Sequence, residues 1–308
     1  MGTRHIASPT RLTLDETVNQ LDVWLAHGKV HVVGTDGPAR VDVRRVGHKG
    51  LTVTQANGNL SIRHDVPAGP WGMGLWWRGR RNWSAEVIIA VPPTTATSLT
   101  VVNGDVVASG LRQGTTVDVT SGSIAMMGLG GQVRAKTVSG SIEAVGVSGE
   151  LTMQTVSGEI SLAGSSAEQV YARTISGAIT CDLDNPWAFV VHLDTVSGSI
   201  TVRVPEDANL RVDLAAASGS VTSAFAQVPA TNSMGRHSAS GQIGAGTGRL
   251  RASAVSGTVS LLAGPPSGTD EEPAPEAGRP PSHPEDGPRP HNHGHHEQPA
   301  AQPAEGTS

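Results

Sequence analysis

A single five-residue phrase, written nine times, limits what this chain can fold into more than any other feature. It reads Val-Asn-Gly-Asp-Val at 102–106, Thr-Ser-Gly-Ser-Ile at 120–124, Val-Ser-Gly-Ser-Ile at 138–142 and Val-Ser-Gly-Glu-Ile at 156–160. It continues as Ile-Ser-Gly-Ala-Ile (175–179), Val-Ser-Gly-Ser-Ile (196–200), Ala-Ser-Gly-Ser-Val (217–221), Ala-Ser-Gly-Gln-Ile (239–243) and Val-Ser-Gly-Thr-Val (255–259). The central glycines are 16 to 22 residues apart, with the first three steps all 18. A period of about 20 residues carrying short β-branched runs predicts an all-β chain folded as a β-solenoid, a parallel β-helix-like stack of 18–22-residue rungs.

Two residues beyond every central Gly stands a Val or an Ile, so that position faces a core. Seven and five residues before it are pairs such as Val133 and Ala135, Leu151 and Met153, Val170 and Ala172, Val191 and Leu193, and Val212 and Leu214. Between and beside them are Arg134, Lys136, Gln154, Arg173, His192, Asp194, Arg211 and Asp213. This alternation has period two and describes strands with one buried face. The Gly supplies a positive-φ bend, and the preceding Ser residues (121, 139, 157, 176, 197, 218, 240, 256) are expected to form one hydroxyl column. Nine rungs at the usual strand spacing give a stack roughly 38 Å long. The second bend of each rung, for example 128–131 or 148–150, is expected to face solvent.

Composition supports thin rungs over a large core: the chain is 37% hydrophobic but only 3% aromatic. The lone cysteine, Cys181, excludes an intrachain disulfide framework and sits at an inward repeat position, as a small buried hydrophobe would. No run of 18 apolar residues spans a membrane, and residues 1–19 lack a secretory h-region, so the expected compartment is the cytoplasm, with peripheral membrane contact. The segment from residue 264 onward holds eight acids and two bases, while the remainder holds 19 acids and 20 bases. That near-neutral body argues against a nucleic-acid partner.

Along the chain, residues 1–17 read as a flexible lead-in. Residues 18–93 read as an N-terminal β region that caps the stack and continues its sheet, with loose echoes of the phrase at Gly28-Lys29-Val30 and Asn57-Gly58. Capping protects an otherwise open edge. Residues 94–263 form the repeat array, which weakens near Met234, Arg236 and Ser238. Residues 264–308, rich in Pro, Glu and His, read as a disordered tail.

The Thr-Val-Ser-Gly-Ser-Ile repeats, the Asn-Gly-Asp-Val phrase before them and the strand exit Ile88-Ile89-Ala90-Val91-Pro92-Pro93 resemble the DUF4097 adhesin family over about residues 18–263. The resemblance implies a bacterial β-solenoid domain tied to the cell envelope. It implies no catalytic residue.

Two segments interrupt the pattern. Residues 67–83 gather Trp71, Trp76, Trp77 and Trp83 with Arg78, Arg80 and Arg81. Trp and Arg together suit a lipid headgroup, a glycan or an anionic protein partner. The alternative is that the indoles fold back and seal the end of the stack. The tail carries His291, His293, His295 and His296, a density that binds divalent metals weakly but does not specify a structural site. No cofactor is expected. The outward residues show no repeated carboxylate pair of the kind glycan-active β-helices need, and Gly146–Glu150 lacks a nucleophile-elbow context. The sequence therefore predicts a non-catalytic binding or scaffold protein. An exported carbohydrate-binding adhesin is the first alternative, and a glycan-active enzyme the second.

Overall fold

The computed structural model describes residues 2–14, 16–64, 83–184, 189–233 and 236–266. These residues contain strands and no α-helix. The strands are β1 (Gly2–Ile6), β2 (Thr10–Thr13), β3 (Gln20–Gly34), β4 (Arg40–Val46), β5 (Leu51–Ala56), β6 (Asn59–Arg63) and β7 (Ser84–Val91). Then come β8 (Ala96–Ser109), β9 (Thr115–Ser121), β10 (Ile124–Met127), β11 (Gln132–Ser139), β12 (Ile142–Val145), β13 (Ser148–Ser157) and β14 (Ile160–Ser176). The last are β15 (Ile179–Leu183), β16 (Val190–Ser197), β17 (Ile200–Pro205), β18 (Leu210–Ser223), β19 (Ala230–Ser233), β20 (Arg236–Ile243) and β21 (Gly248–Gly264).

Through the middle of the chain each strand pairs in parallel with the strand one repeat later. Val133 lies opposite Leu151, Ala135 opposite Met153 and Ile142 opposite Ile160. Each repeat thus has two arms, one before and one after the Ser-Gly bend. The alternation read in the sequence becomes burial: Val133, Ala135, Ile142, Leu151, Met153 and Ile160 are all at most 1% exposed. The second bend contributes too. Leu111, Leu129 and Val147 are fully buried there, so this bend does not merely face solvent as expected; it turns one side chain inward. Their carbonyls accept the backbone N–H groups of Gly130, Ser148 and Ser166, one rung along.

The bend glycines form a column so tight that only glycine fits. From Gly104 to Gly198 each has φ between +136° and +153°, and an added Cβ would fall 1.7–2.0 Å from the carbonyl oxygen of the glycine one rung back. A Cβ there would meet both a disfavoured backbone conformation and a backbone atom that cannot move away.

The order of this column corrects the order of the phrases. Gly257 sits between Gly198 and Gly219, because β21 pairs in parallel with both β16 and β18. The last strand is therefore inserted one rung inside the stack. The phrase at 239–243 is not a rung: β20 runs antiparallel to β18, with Gly241 opposite Val212, and Ser240 consequently leaves the hydroxyl column. The other end mirrors this arrangement. Gly28 of β3 sits between Ala85 of β7 and Gly104 of β8, so the loose echo at Gly28 is a rung in its own right. The echo at Asn57-Gly58 is a two-residue hairpin turn between β5 and β6, both residues having positive φ.

Within the expected lead-in, Gly2–Ile6 and Thr10–Thr13 are paired strands. β1 pairs antiparallel with β5, and β2 with β4, burying Ile6 and Leu12. Antiparallel hairpins thus flank the parallel rungs at both ends of the chain's β network, which limits open parallel edges. From residue 267 onward, the expected tail lies outside the described residues.

Candidate binding groove

On the arm before the Ser-Gly bend, alternate residues point outward, and successive rungs stack them into columns. Four residues before Gly stand Asp118, Lys136, Gln154, Arg173, Asp194 and Ser253. Two residues before Gly stand Val138, Val156, Ile175, Val196 and Val255, which are 51, 43, 47, 40 and 55% exposed. Five β-branched side chains on five neighbouring rungs are thus left half in water. The stripe they form is about 19 Å long at the usual strand spacing.

The two columns flank a groove of about 500 Å³. Val138, Val156 and Ile175 make its apolar wall, and Asp118, Lys136, Gln154 and Arg173 its polar wall. Thr137 and Thr155 lie at its base. The Thr155, Thr174 and Thr195 hydroxyls each donate to a bend-glycine carbonyl at 3.4 Å, which ties the base to the glycine column. A second depression of about 660 Å³ continues this face on β18, β20 and β21, lined by Asp213, Ser240, Arg251 and Ser253 among others.

Between the two depressions lies a polar cluster. The Tyr171 and His192 rings stack with centroids 5.4 Å apart. His192 Nε2 is 3.0 Å from one Asp194 oxygen, and the Ser253 hydroxyl donates to the other. These are the residue types of a hydrolytic triad in the wrong order. A nucleophilic serine must give its proton to the imidazole, with the carboxylate behind the ring. Here serine and histidine both turn to the carboxylate, so the cluster holds three rungs together.

Cys181 is buried, and burial, with a smaller push from the Asp182 carboxylate, raises its thiol to about 12. It is an inert core residue. On the arm after the bend, the Asp182 carboxylate binds Arg203 through both oxygens. Neighbouring Asp184 is pushed above the usual carboxylate range by burial and by Asp182.

Of the residues singled out in the sequence, Trp83 is corrected. It is only 5% exposed, with its ring edge-on to buried His64 at 6.0 Å and the Lys49 ammonium 6.0 Å from its centroid. It is a core residue, not a contact residue. Trp71, Trp76, Trp77, Arg78, Arg80 and Arg81 lie outside the described residues, as do His291, His293, His295 and His296. Among the described residues no three His, Cys, Asp or Glu side chains form a metal-binding group, and no helix is long and apolar enough to cross a membrane. The apolar column at Val138–Val255 is not among the residues that the repeat pattern singles out. Its signal was present: a Val or Ile two before Gly shares the parity of the outward Lys136 and Arg173, and so is apolar on the wrong face.

No curated protein matches the chain. Among solved structures, a "putative adhesin" from Bacteroides fragilis is 13% identical, with 83% of this chain and 99% of that chain covered and a TM-score of 0.41. A "putative adhesin" from Parabacteroides distasonis is 10% identical, covering 83% of this chain and 96% of that one, with a TM-score of 0.30. A "putative cell adhesion protein" from Clostridium sporogenes is 10% identical, covering 83% and 100%, with a TM-score of 0.25. At these identities and TM-scores the likenesses carry no argument about function. The family comparison is stronger, because its match starts just before β3 and ends within β21, taking in every rung of the glycine column: over residues 16–262 the chain matches the Toastrack DUF4097 model, and it belongs to that family.

Proposed function

We propose that this protein is a non-catalytic binding protein, a β-solenoid whose parallel rungs hold a groove rigid against an elongated partner. The observation that carries this reading is the column Val138, Val156, Ile175, Val196 and Val255, apolar and half-exposed on five consecutive rungs beside Lys136 and Arg173. A regular apolar strip rimmed by charge is the usual form of an interaction surface. The proposal includes attachment to the cell envelope, which the family resemblance supports, with Trp71, Trp76, Trp77, Arg78, Arg80 and Arg81 as a second contact region.

The test is binding to a panel of immobilised envelope polysaccharides and to anionic phospholipid vesicles. The full chain is expected to bind at least one, and Val156→Asp with Ile175→Asp to bind it at least tenfold more weakly. Binding unchanged by that pair, or absent throughout, contradicts the groove. Loss with Trp76→Ala and Trp77→Ala instead would assign the contact to the Trp/Arg segment. Turnover of any polysaccharide in the panel would contradict the non-catalytic reading.

A further inference from the structure

The insertion of β21 between β16 and β18 brings together two arginines that the sequence keeps 38 residues apart. Arg211 of β18 and Arg249 of β21 are direct partners in the parallel register. Both are exposed and both line a depression of about 400 Å³, together with Val190 and the 246–248 turn. Val190 is Arg249's partner on the side away from Arg211 and is 52% exposed, so an open apolar side chain borders the arginine pair. Arg251 follows two residues along β21 on the same outward face.

Like charges directly opposite on neighbouring strands are unfavourable. Four bases are neutralised by nearby acids: Arg11 and Arg44 share Asp42, Lys29 meets Asp105, and Arg203 meets Asp182. Among the described residues Arg211 and Arg249 form no ion pair. Asp213 lies beside Arg251 in the register and forms no ion pair with it. Asp194, farther along the same face, is occupied by His192 and Ser253.

We infer that Arg211 and Arg249 form a site for a phosphoryl group. Two guanidinium forks on strands about 4.8 Å apart need an acceptor with oxygens on more than one side. One carboxylate can bridge two guanidinium groups, as Asp42 does between Arg11 and Arg44, but it sets a single negative charge against two positive ones. A tetrahedral phosphoryl group offers oxygens to both, and its charge removes the repulsion between them. The turn carrying Thr247 is fixed from below by Asn209. Its side-chain oxygen accepts the Ala245 N–H at 2.7 Å, and its carbonyl accepts the Gly248 N–H at 2.8 Å. The wall of the depression is thereby set before any ligand arrives. This site is separate from the apolar column and does not depend on the groove reading.

The experiment is isothermal titration calorimetry of the full chain with inorganic pyrophosphate, and co-sedimentation with phosphatidylcholine vesicles with and without one-fifth phosphatidic acid. Arg211→Gln with Arg249→Gln is the test variant, and Arg134→Gln, on a distant rung of the same face, is the control. Circular dichroism checks that both variants fold. Pyrophosphate binding that falls at least tenfold in the double variant and not in the control supports a site for free phosphoryl compounds. Binding only to phosphatidic acid vesicles, lost in the double variant, supports the same site with a lipid headgroup as the source. No binding to either probe, or equal losses in the double variant and the control, overturns the proposal.

Discussion

A Cβ placed on Gly140 would lie 2.0 Å from the carbonyl oxygen of Gly122, one rung back. That contact explains why the phrase tolerates Asp, Ser, Glu, Ala, Gln or Thr after its Gly but never another residue in the glycine's place. Gly140→Ala combines a positive-φ penalty with a backbone clash. It should cost about 3–5 kcal/mol and lower Tm by roughly 10 °C or more. Gly128 also has positive φ, yet a Cβ there meets nothing within 4 Å. Gly128→Ala should therefore cost only about 1–2 kcal/mol. Thermal unfolding of the two variants side by side checks the difference, and equal losses would contradict the glycine column.

Trp83 and His64 pack edge to face in the N-terminal part of the fold, and both are buried. Trp83→Ala should destabilise by about 3–5 kcal/mol, as truncating a core indole does. Urea denaturation reads this directly. A loss under 1 kcal/mol would return Trp83 to the surface role expected from the sequence.

Cys181, the lone thiol, should be inert in the folded chain because burial holds it protonated at neutral pH. A thiol reagent such as dithionitrobenzoate should label less than a tenth of it in an hour at pH 8, and all of it in 6 M guanidinium. Rapid native labelling would contradict its placement.

Asp184 gives a pH signature. Burial and Asp182 raise its folded pKa above the unfolded value, while Arg203 lowers it in part. The ionised form is therefore the unfavourable one in the fold. Its penalty is absent below the unfolded pKa and develops as pH rises through the folded pKa. Asp184→Asn should accordingly raise Tm at pH 7 and leave it unchanged at pH 3. A gain confined to acid pH would reverse the assignment.

The sequence spells out what is local. Period-two alternation identified Val133, Ala135, Leu151 and Met153 as inward residues, and the structure buries all four. The glycine bends were equally readable, since positive φ is a property of one residue. What the sequence concealed is order. Any strand with the right parity and a Gly at the bend fits any slot in a parallel stack. The phrase at 255–259 could therefore slip between its predecessors, and the phrase at 239–243 could be used in an antiparallel strand. The Val138–Val255 column is harder to see, because a β-branched residue suits a strand on either face and only its parity with Lys136 and Arg173 places it outward. The pairing of Arg211 with Arg249 was not legible at all, because it exists only through the insertion.

The insertion of β21 is thus the claim on which the arginine site rests, and pulsed electron paramagnetic resonance tests it directly. Spin labels would be placed at Ser139 and Ser256 in one sample, and at Ser139 and Ser218 in another, in a Cys181→Ser background. In the inserted order Ser256 is four rungs from Ser139 and Ser218 is five. At the usual strand spacing the expected separations are about 19 Å and about 24 Å. A distance to Ser256 shorter than that to Ser218 is the predicted result. Rungs stacked in chain order would instead put Ser256 about 29 Å away, beyond Ser218, and that result would contradict the account.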